Sequence, residues 1–233
     1  MESRAALRNT SAHVLLPPEA FDTGGALAID DSTEHHLRRV LRLRSGELVS
    51  ATDGVGRWCL ATVVVEGGPV RLEPQGTVVS EPAPAAPFTV AVAMPKGDRL
   101  DWLAQKATEL GVDRLVLLHA DRSVVRWKPA RAANQLERLQ RISDEACRQS
   151  RRVWRVAIEG PVDAADVLGE FVVAEPGGRA LVPADRSVAI GPEGGWSTDE
   201  LDRAADRVSL GANILRTETA VVAVSALCVT FER

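Results

Sequence analysis

The chain reads as a two-unit α/β protein: a small, mostly β N-terminal unit followed by a larger unit built on a parallel sheet. Three observations predict this. Residues 79–87 hold Pro82, Pro84 and Pro87 among small residues with little to bury, the composition of a semi-rigid linker. Before it, short β-branched runs are separated by turn residues. After it, apolar runs alternate with helical patterns, the rhythm of parallel strands joined by helical crossovers. The predicted boundaries are 1–78, 79–87 and 88–233.

In the first unit a helix is predicted over residues 32–43. Strands follow at 47–52, 57–65 and 70–73, separated by Asp53-Gly54 and Gly67-Gly68. Short strands with tight turns argue for a small barrel. In the second unit strands are predicted at 88–93, 114–119, 171–174, 187–190 and 208–210. Helices are predicted at 98–110, 130–150, 197–205 and 217–231. The start at 197 is marked by Ser197-Thr198-Asp199-Glu200, a capping box in which serine and glutamate satisfy each other's backbone donors.

Composition narrows the functional class. At 45% hydrophobic and 26% charged, the 233 residues are those of a soluble globular protein. No apolar stretch approaches the roughly 20 residues of a membrane span, so no membrane partner is expected. The opening Met1-Glu2-Ser3-Arg4 lacks the basic-then-apolar plan of a secretory signal, and a cytoplasmic location follows. Cys59, Cys147 and Cys228 are far apart and form no CxxC pair, and the four histidines lack ligand spacing, so no metal is expected. Net charge is −4, but only three lysines occur and arginine supplies nearly all positive charge. Its planar fork suits phosphates and base edges.

Two basic segments invite a nucleic-acid reading. His35, Arg38, Arg39 and Arg42 fall on one helical face, with Leu37, Val40 and Leu41 opposite and expected against the barrel. A solvated surface helix is the plain alternative. Yet cations with no acids among them repel, and a phosphate backbone relieves that. The second segment holds Arg148, Arg151, Arg152 and Arg155 around Gln149-Ser150 and Trp154. It suits RNA, and equally a helix end where cations meet the negative dipole terminus; the residues leave both open.

Two strand-loop-helix junctions near the C-terminus carry the strongest signal: Ile190-Gly191-Pro192-Glu193-Gly194-Gly195, and Leu210-Gly211-Ala212-Asn213-Ile214-Leu215-Arg216-Thr217-Glu218-Thr219-Ala220. Neither a GxxxxGK[ST] loop nor a GxGxxG turn is present. Glu193 would repel a phosphate, so a neutral or cationic ligand close to the glycine backbone fits better. Residues 210–215 would supply an apolar wall for a flat heterocycle. Two tight turns without a ligand are the alternative. The last helix is apolar from 220 to 229 on more than one face, which a homodimer interface would cover.

These segments resemble the paired signature of the RsmE family, 16S rRNA uridine-N3 methyltransferases of the SPOUT class. Glu34-His35-His36-Leu37-Arg38-Arg39-Val40-Leu41-Arg42, Pro95-Lys96-Gly97-Asp98-Arg99, Gln105-Lys106-Ala107-Thr108-Glu109-Leu110-Gly111-Val112, Arg122-Ser123-Val124 and Glu145 with Gln149-Ser150 are similar to its other motifs, in order. The resemblance implies a PUA-like N-terminal barrel that holds RNA and a SPOUT domain with a deep trefoil knot. It implies S-adenosylmethionine as methyl donor, 16S rRNA or the small ribosomal subunit as substrate, and a homodimer. Gly191, Pro192, Glu193, Gly194, Gly195, Leu210, Gly211, Ile214, Leu215 and Thr217 are then expected to bind the cofactor. Arg216, Thr217 and Glu218 are expected at the reacting centre, with Arg216 stabilising charge on the base and Glu218 accepting the N3 proton or orienting Arg216. His35, Arg38, Arg39, Arg42, Lys96, Gln149 and Arg152 are expected to contact RNA. A SPOUT enzyme with another RNA target and a catalytically silent ribosome-assembly factor are the alternatives.

Overall fold

The computed structural model describes residues 4–22 and 24–230. They form two compact units. One comprises the described residues up to Pro84 together with Cys147–Arg155; the other comprises Ala85–Ala146 and the described residues from Val156 onward.

The first unit is a four-stranded sheet of β1 (His13–Leu15), β2 (Leu48–Thr52), β3 (Arg57–Val64) and β4 (Arg71–Ser80), in that order. β1 runs parallel to β2, and the other pairs are antiparallel. Alternate residues of β3, Cys59, Ala61 and Val63, are fully buried and pack with Val14, Val49, Ala51 and Leu72. This is the period of a sheet with one covered face. The β2–β3 turn is held by Asp53, whose Oδ1 accepts from Val55 N (2.8 Å) and Arg57 N (3.0 Å) and whose Oδ2 accepts from Arg57 Nε (2.6 Å). Gly56 there has φ +103°, and a Cβ would lie 2.4 Å from the Trp154 ring, so no other residue fits.

Three expectations about strands and boundaries change in this unit. Val79 and Ser80, read as linker, belong to β4, because they pair with Trp58 and Arg57. Strand 70–73 extends accordingly to Ser80: its ladder with β3 runs through Pro74 to Gln75 and resumes at Val79 after a register shift between Trp58 and Leu60. Residues 147–155 group with this unit rather than with the larger one. Val153 forms a small buried cluster there with Leu7 and Trp58.

The second unit is a six-stranded sheet of β5 (Thr89–Ala93), β6 (Arg114–His119), β7 (Ala157–Asp163), β8 (Val172–Ala180), β9 (Ser187–Ile190) and β10 (Asp206–Ser209). Its order is β10-β8-β9-β5-β6-β7, with every pair parallel. Central β5 is buried throughout, as a sheet covered on both faces requires. Val90 and Val92 face a core with Leu103, Leu117, Val221 and Val224; Ala91 and Ala93 face the other, with Leu118, Val173, Ala189 and Trp196. The larger helices are α2 (Arg99–Glu109), α3 (Pro129–Ser150, whose last four residues group with the first unit) and α6 (Thr217–Thr230); the short α4 (Ala164–Val167) and α5 (Thr198–Arg203) lie between α3 and α6 in sequence. Phe231, expected in the last helix, falls outside the described residues.

β7 was not predicted. It is an edge strand interrupted by Gly160-Pro161, residues that weaken a strand signal but are tolerated at an edge. β8 was read only to Ala174. It continues because Arg179 and Ala180 pair with Val208 and Ser209 beyond an irregularity in β10. Gly178 makes that approach feasible: a Cβ would meet Val208 N at 2.6 Å.

Candidate active site

A cavity of about 320 Å³ opens at the carboxyl ends of β9 and β10, beside the middle of β8, close to where ligands of open α/β sheets sit. Its walls are Ala174–Pro176, Ile190–Trp196, Ser209–Gly211, Asn213–Leu215, Thr217 and Ala220. Both glycine junctions thus converge on one space. They are tied directly: buried Thr217 donates from Oγ1 to the Gly191 carbonyl at 3.0 Å. In the first loop Gly195 N donates to Pro192 O (2.9 Å), closing a turn in which Gly195 takes φ +70°. Arg122 Nη1 donates to Gly194 O at 3.1 Å. The loop then enters α5, where Ser197 and Glu200 form the predicted capping box. Glu200 is only 1% exposed, yet its carboxylate is satisfied by Ser197 N (2.8 Å) and Asp121 N (2.9 Å).

Charge at the site centres on Arg99 at the start of α2. Its guanidinium lies 3.3 Å from Glu193 and 3.8 Å from Glu218. Glu218 Oε2 is buried with no hydrogen-bond partner among the described residues, a costly state for a carboxylate oxygen and therefore a candidate for a bound group. Arg216 is exposed. Of the three residues expected at the reacting centre, Thr217 lines the cavity while Arg216 and Glu218 do not. Successive residues of a helical turn diverge by about 100°, so these neighbours point to different surroundings.

The basic segments depart from expectation. α1 (Asp31–His35) ends early, and His36–Val40 form a π-helical turn. Arg42 follows with φ +55°, so the four cationic residues do not share one α-helical stripe. All four are exposed. Of the apolar face, Leu37 is buried, but Val40 and Leu41 are 59% and 40% exposed. The segment is also not free of acid: Glu34 lies 3.6 Å from Arg38. Lys96 and Gln149 are exposed, whereas Arg152 is half-buried, with Nε donating to Trp154 O at 3.1 Å. Arg151 donates to Thr10 Oγ1 and Thr10 O, both at 2.8 Å, and its burial lowers its pKa. Part of the second cluster is therefore internal scaffolding of the first unit.

Comparison with known proteins follows the two units. The RNA methyltransferase domain family matches residues 81–229, and the RNA methyltransferase PUA domain matches residues 29–72. Ribosomal RNA small subunit methyltransferase E of Mycobacterium bovis is 32% identical over 91% of this chain and 89% of its own. The chain belongs to the ribosomal RNA small subunit methyltransferase E family. The Synechocystis member is 35% identical over 80% of this chain and 67% of its own. The family's Neisseria gonorrhoeae structure, bound to S-adenosyl methionine, is 28% identical with TM-score 0.78, covering 94% of this chain and 97% of that one.

Several residues around the cavity of this family member carried no role in the sequence reading. Trp196, Ala174 and Pro176 line it, and Arg99 and Arg122 bond its loop. Arg99 and Arg122 lie in segments already matched to the family, so position within a motif was the available signal. No group of three or more histidine, cysteine or acidic side chains among the described residues could hold a metal. Cys59, Cys147 and Cys228 are all buried.

Proposed function

We propose that the protein transfers a methyl group from S-adenosylmethionine to N3 of a decoding-centre uridine of 16S rRNA, on the small ribosomal subunit. The observation that carries this reading is the convergence of both glycine junctions and the first turn of α6 on one cavity. The cavity's chemistry fits the donor. It combines exposed loop backbone with the apolar side chains of Leu210, Ile214, Leu215 and Ala220, suited to an adenine ring and a sulfonium chain. Its volume lies at the lower end of the range for such ligands. The carboxylates of Glu175 and Glu193 among its lining suit a cationic ligand and disfavour a phosphate.

When bound, S-adenosylmethionine supplies an electrophilic methyl. The chain's task is to hold and deprotonate the uracil imide, a poor nucleophile while its N3 proton is present. Glu218 is the proton acceptor in this reading, directly or through water, or the group that orients Arg216. Its partnerless Oε2 supports an acceptor role. Arg216, exposed beside it, would stabilise charge developing on the base oxygens. Thr217 holds the Gly191 loop closed on α6.

The first unit, completed by residues 147–155, is assigned to RNA holding through His35, Arg38, Arg39 and Arg42, with Gln149 and Arg152; Lys96, in the second unit, is assigned an RNA contact of its own. A homodimer is part of the proposal. α6 buries Val221, Val224 and Cys228, while Ala226 and Leu227 on its remaining surface are exposed. The family's trefoil knot and a cytoplasmic site of action belong to the same reading; no helix among the described residues is long and apolar enough to cross a membrane.

The test is transfer of labelled methyl to small subunits from a strain lacking this gene, with nucleoside mass spectrometry. Appearance of 3-methyluridine in 16S rRNA is the expected result. A different methylated nucleoside would reassign the target. Absence of both transfer and S-adenosylmethionine binding would sink the enzymatic reading in favour of an assembly factor.

A further inference from the structure

The first unit contains a second cavity, of about 160 Å³, formed by β1, α1, the π-helical turn and Arg148. It is well below the roughly 300 Å³ at which drug-sized pockets begin. Val14, Leu37 and Leu41 give it an apolar side; Ser32, Thr33 and His36 give it a polar one. These polar groups are not equally available. Ser32 Oγ (3.2 Å) and Thr33 N (2.7 Å) already donate to Asp30 Oδ1. His13, also in the wall, is fully committed: Nε2 donates to Arg152 O (2.9 Å), which leaves Nδ1 to accept from Ser50 Oγ (2.8 Å). His36 differs. It is half-buried, and its ring nitrogens have no protein partner among the described residues.

A small slot with an apolar wall and one uncommitted donor–acceptor ring suits a flat heterocycle read on its edge. That is how unstacked bases of single-stranded RNA are recognised. The backbone points the same way. His36 opens the π-helical turn, a rare conformation found disproportionately at functional sites. The same turn carries Arg38 and Arg39, both exposed. We propose that this cavity takes one unstacked base of the RNA substrate, read by His36, with adjacent phosphates on Arg38 and Arg39. The proposal rests on the RNA-methyltransferase reading and adds to it a nucleotide subsite away from the methyl-transfer cavity.

The test compares the full-length protein with His36→Ala and with Leu41→Trp, which fills the cavity from an exposed position. Binding to unmethylated small subunits, S-adenosylmethionine affinity and melting temperature are measured for each. Loss of one base-edge hydrogen bond predicts subunit binding weaker by about threefold to tenfold in H36A. L41W should lose at least as much, with S-adenosylmethionine binding and melting temperature unchanged in both. Salt separates base from phosphate: H36A should leave the slope of log Kd against log salt intact, while Arg39→Gln should lower it by about one. Wild-type subunit affinity in both H36A and L41W overturns the proposal even if methyl transfer is normal. Tight saturable binding of a free nucleoside monophosphate, abolished by H36A, would also overturn it by assigning the cavity to a small molecule. Failure of the wild type to bind subunits at all would instead count against the parent reading.

Discussion

Gly191→Ala tests whether the cavity wall has the tight geometry described here. A Cβ at Gly191 would stand 3.0 Å from Trp196 Cε2 and Nε1 and 3.3 Å from Cδ2. Comfortable contacts between such atoms begin near about 3.5 Å, so one partner must move by about half an ångström. Trp196 is 4% exposed and packs with Ala93, Val173 and Ala189, which leaves it little room. Overpacking of this kind costs about 1–3 kcal/mol, and each kcal/mol lowers the melting temperature by about 2–4 °C in a chain of this size. If about 1 kcal/mol of that reaches the wall, S-adenosylmethionine binding weakens about fivefold. Calorimetry and a melting curve measure both effects. The double mutant with Trp196→Phe sharpens the test. The indole Nε1 has no hydrogen-bond partner among the described residues, so the smaller ring removes the clash without breaking a bond seen there. The combined cost should fall short of the sum by at least about 0.5 kcal/mol. Strict additivity, or a G191A protein with native stability and affinity, would refute the reasoning.

Three other outcomes are expected. Thr217→Val keeps the shape but loses the bond to Gly191 O, which should destabilise the protein by about 1 kcal/mol and weaken cofactor binding; Thr217→Ser should restore both, and a silent T217V in the same melting and titration assays would count against the tie. Glu218→Gln should lower the single-turnover methyl-transfer rate by about 10²-fold or more if Glu218 accepts the proton, with S-adenosylmethionine affinity kept; an unchanged rate removes it as the base. Burial lowers the His13 pKa from 6.5 to about 4, so between those values the unfolded chain binds more protons than the folded one. Stability should therefore decline as pH falls from about 6.5 to about 4, by about 3 kcal/mol in all; His13→Gln should flatten this component in denaturant titrations at pH 4, 5.5 and 7, and an equally steep decline in that variant would exclude His13 as its source.

The site was legible where it is built from main chain. Glycines 191, 194, 195 and 211 after short apolar runs announce turns regardless of tertiary context, and all of them line the observed cavity. The strands of the parallel sheet were legible where burial on both faces makes them uniformly apolar, as in Thr89–Ala93. Ala157–Asp163 was not, because an edge strand tolerates glycine, proline and charge, which erases the pattern. The segment from His36 to Arg42 misled for a different reason. Its residues fit a 3.6-residue period, but a π-helical turn rotates the side chains off that period and exposes Val40 and Leu41. The alliance of Arg99 with Glu193 and Glu218 spans separations that no local pattern encodes.

The grouping of Cys147–Arg155 with the first unit bears on how this molecule can be taken apart. A gene fragment ending at Pro84 would omit Val153, buried with Leu7 and Trp58, together with the carbonyl of Arg152 that receives His13 and the guanidinium of Arg151 that clasps Thr10. The smaller unit is thus completed by a stretch of chain that ribosomes make some sixty residues later than Pro84, so its assembly waits for much of its neighbour's chain to emerge.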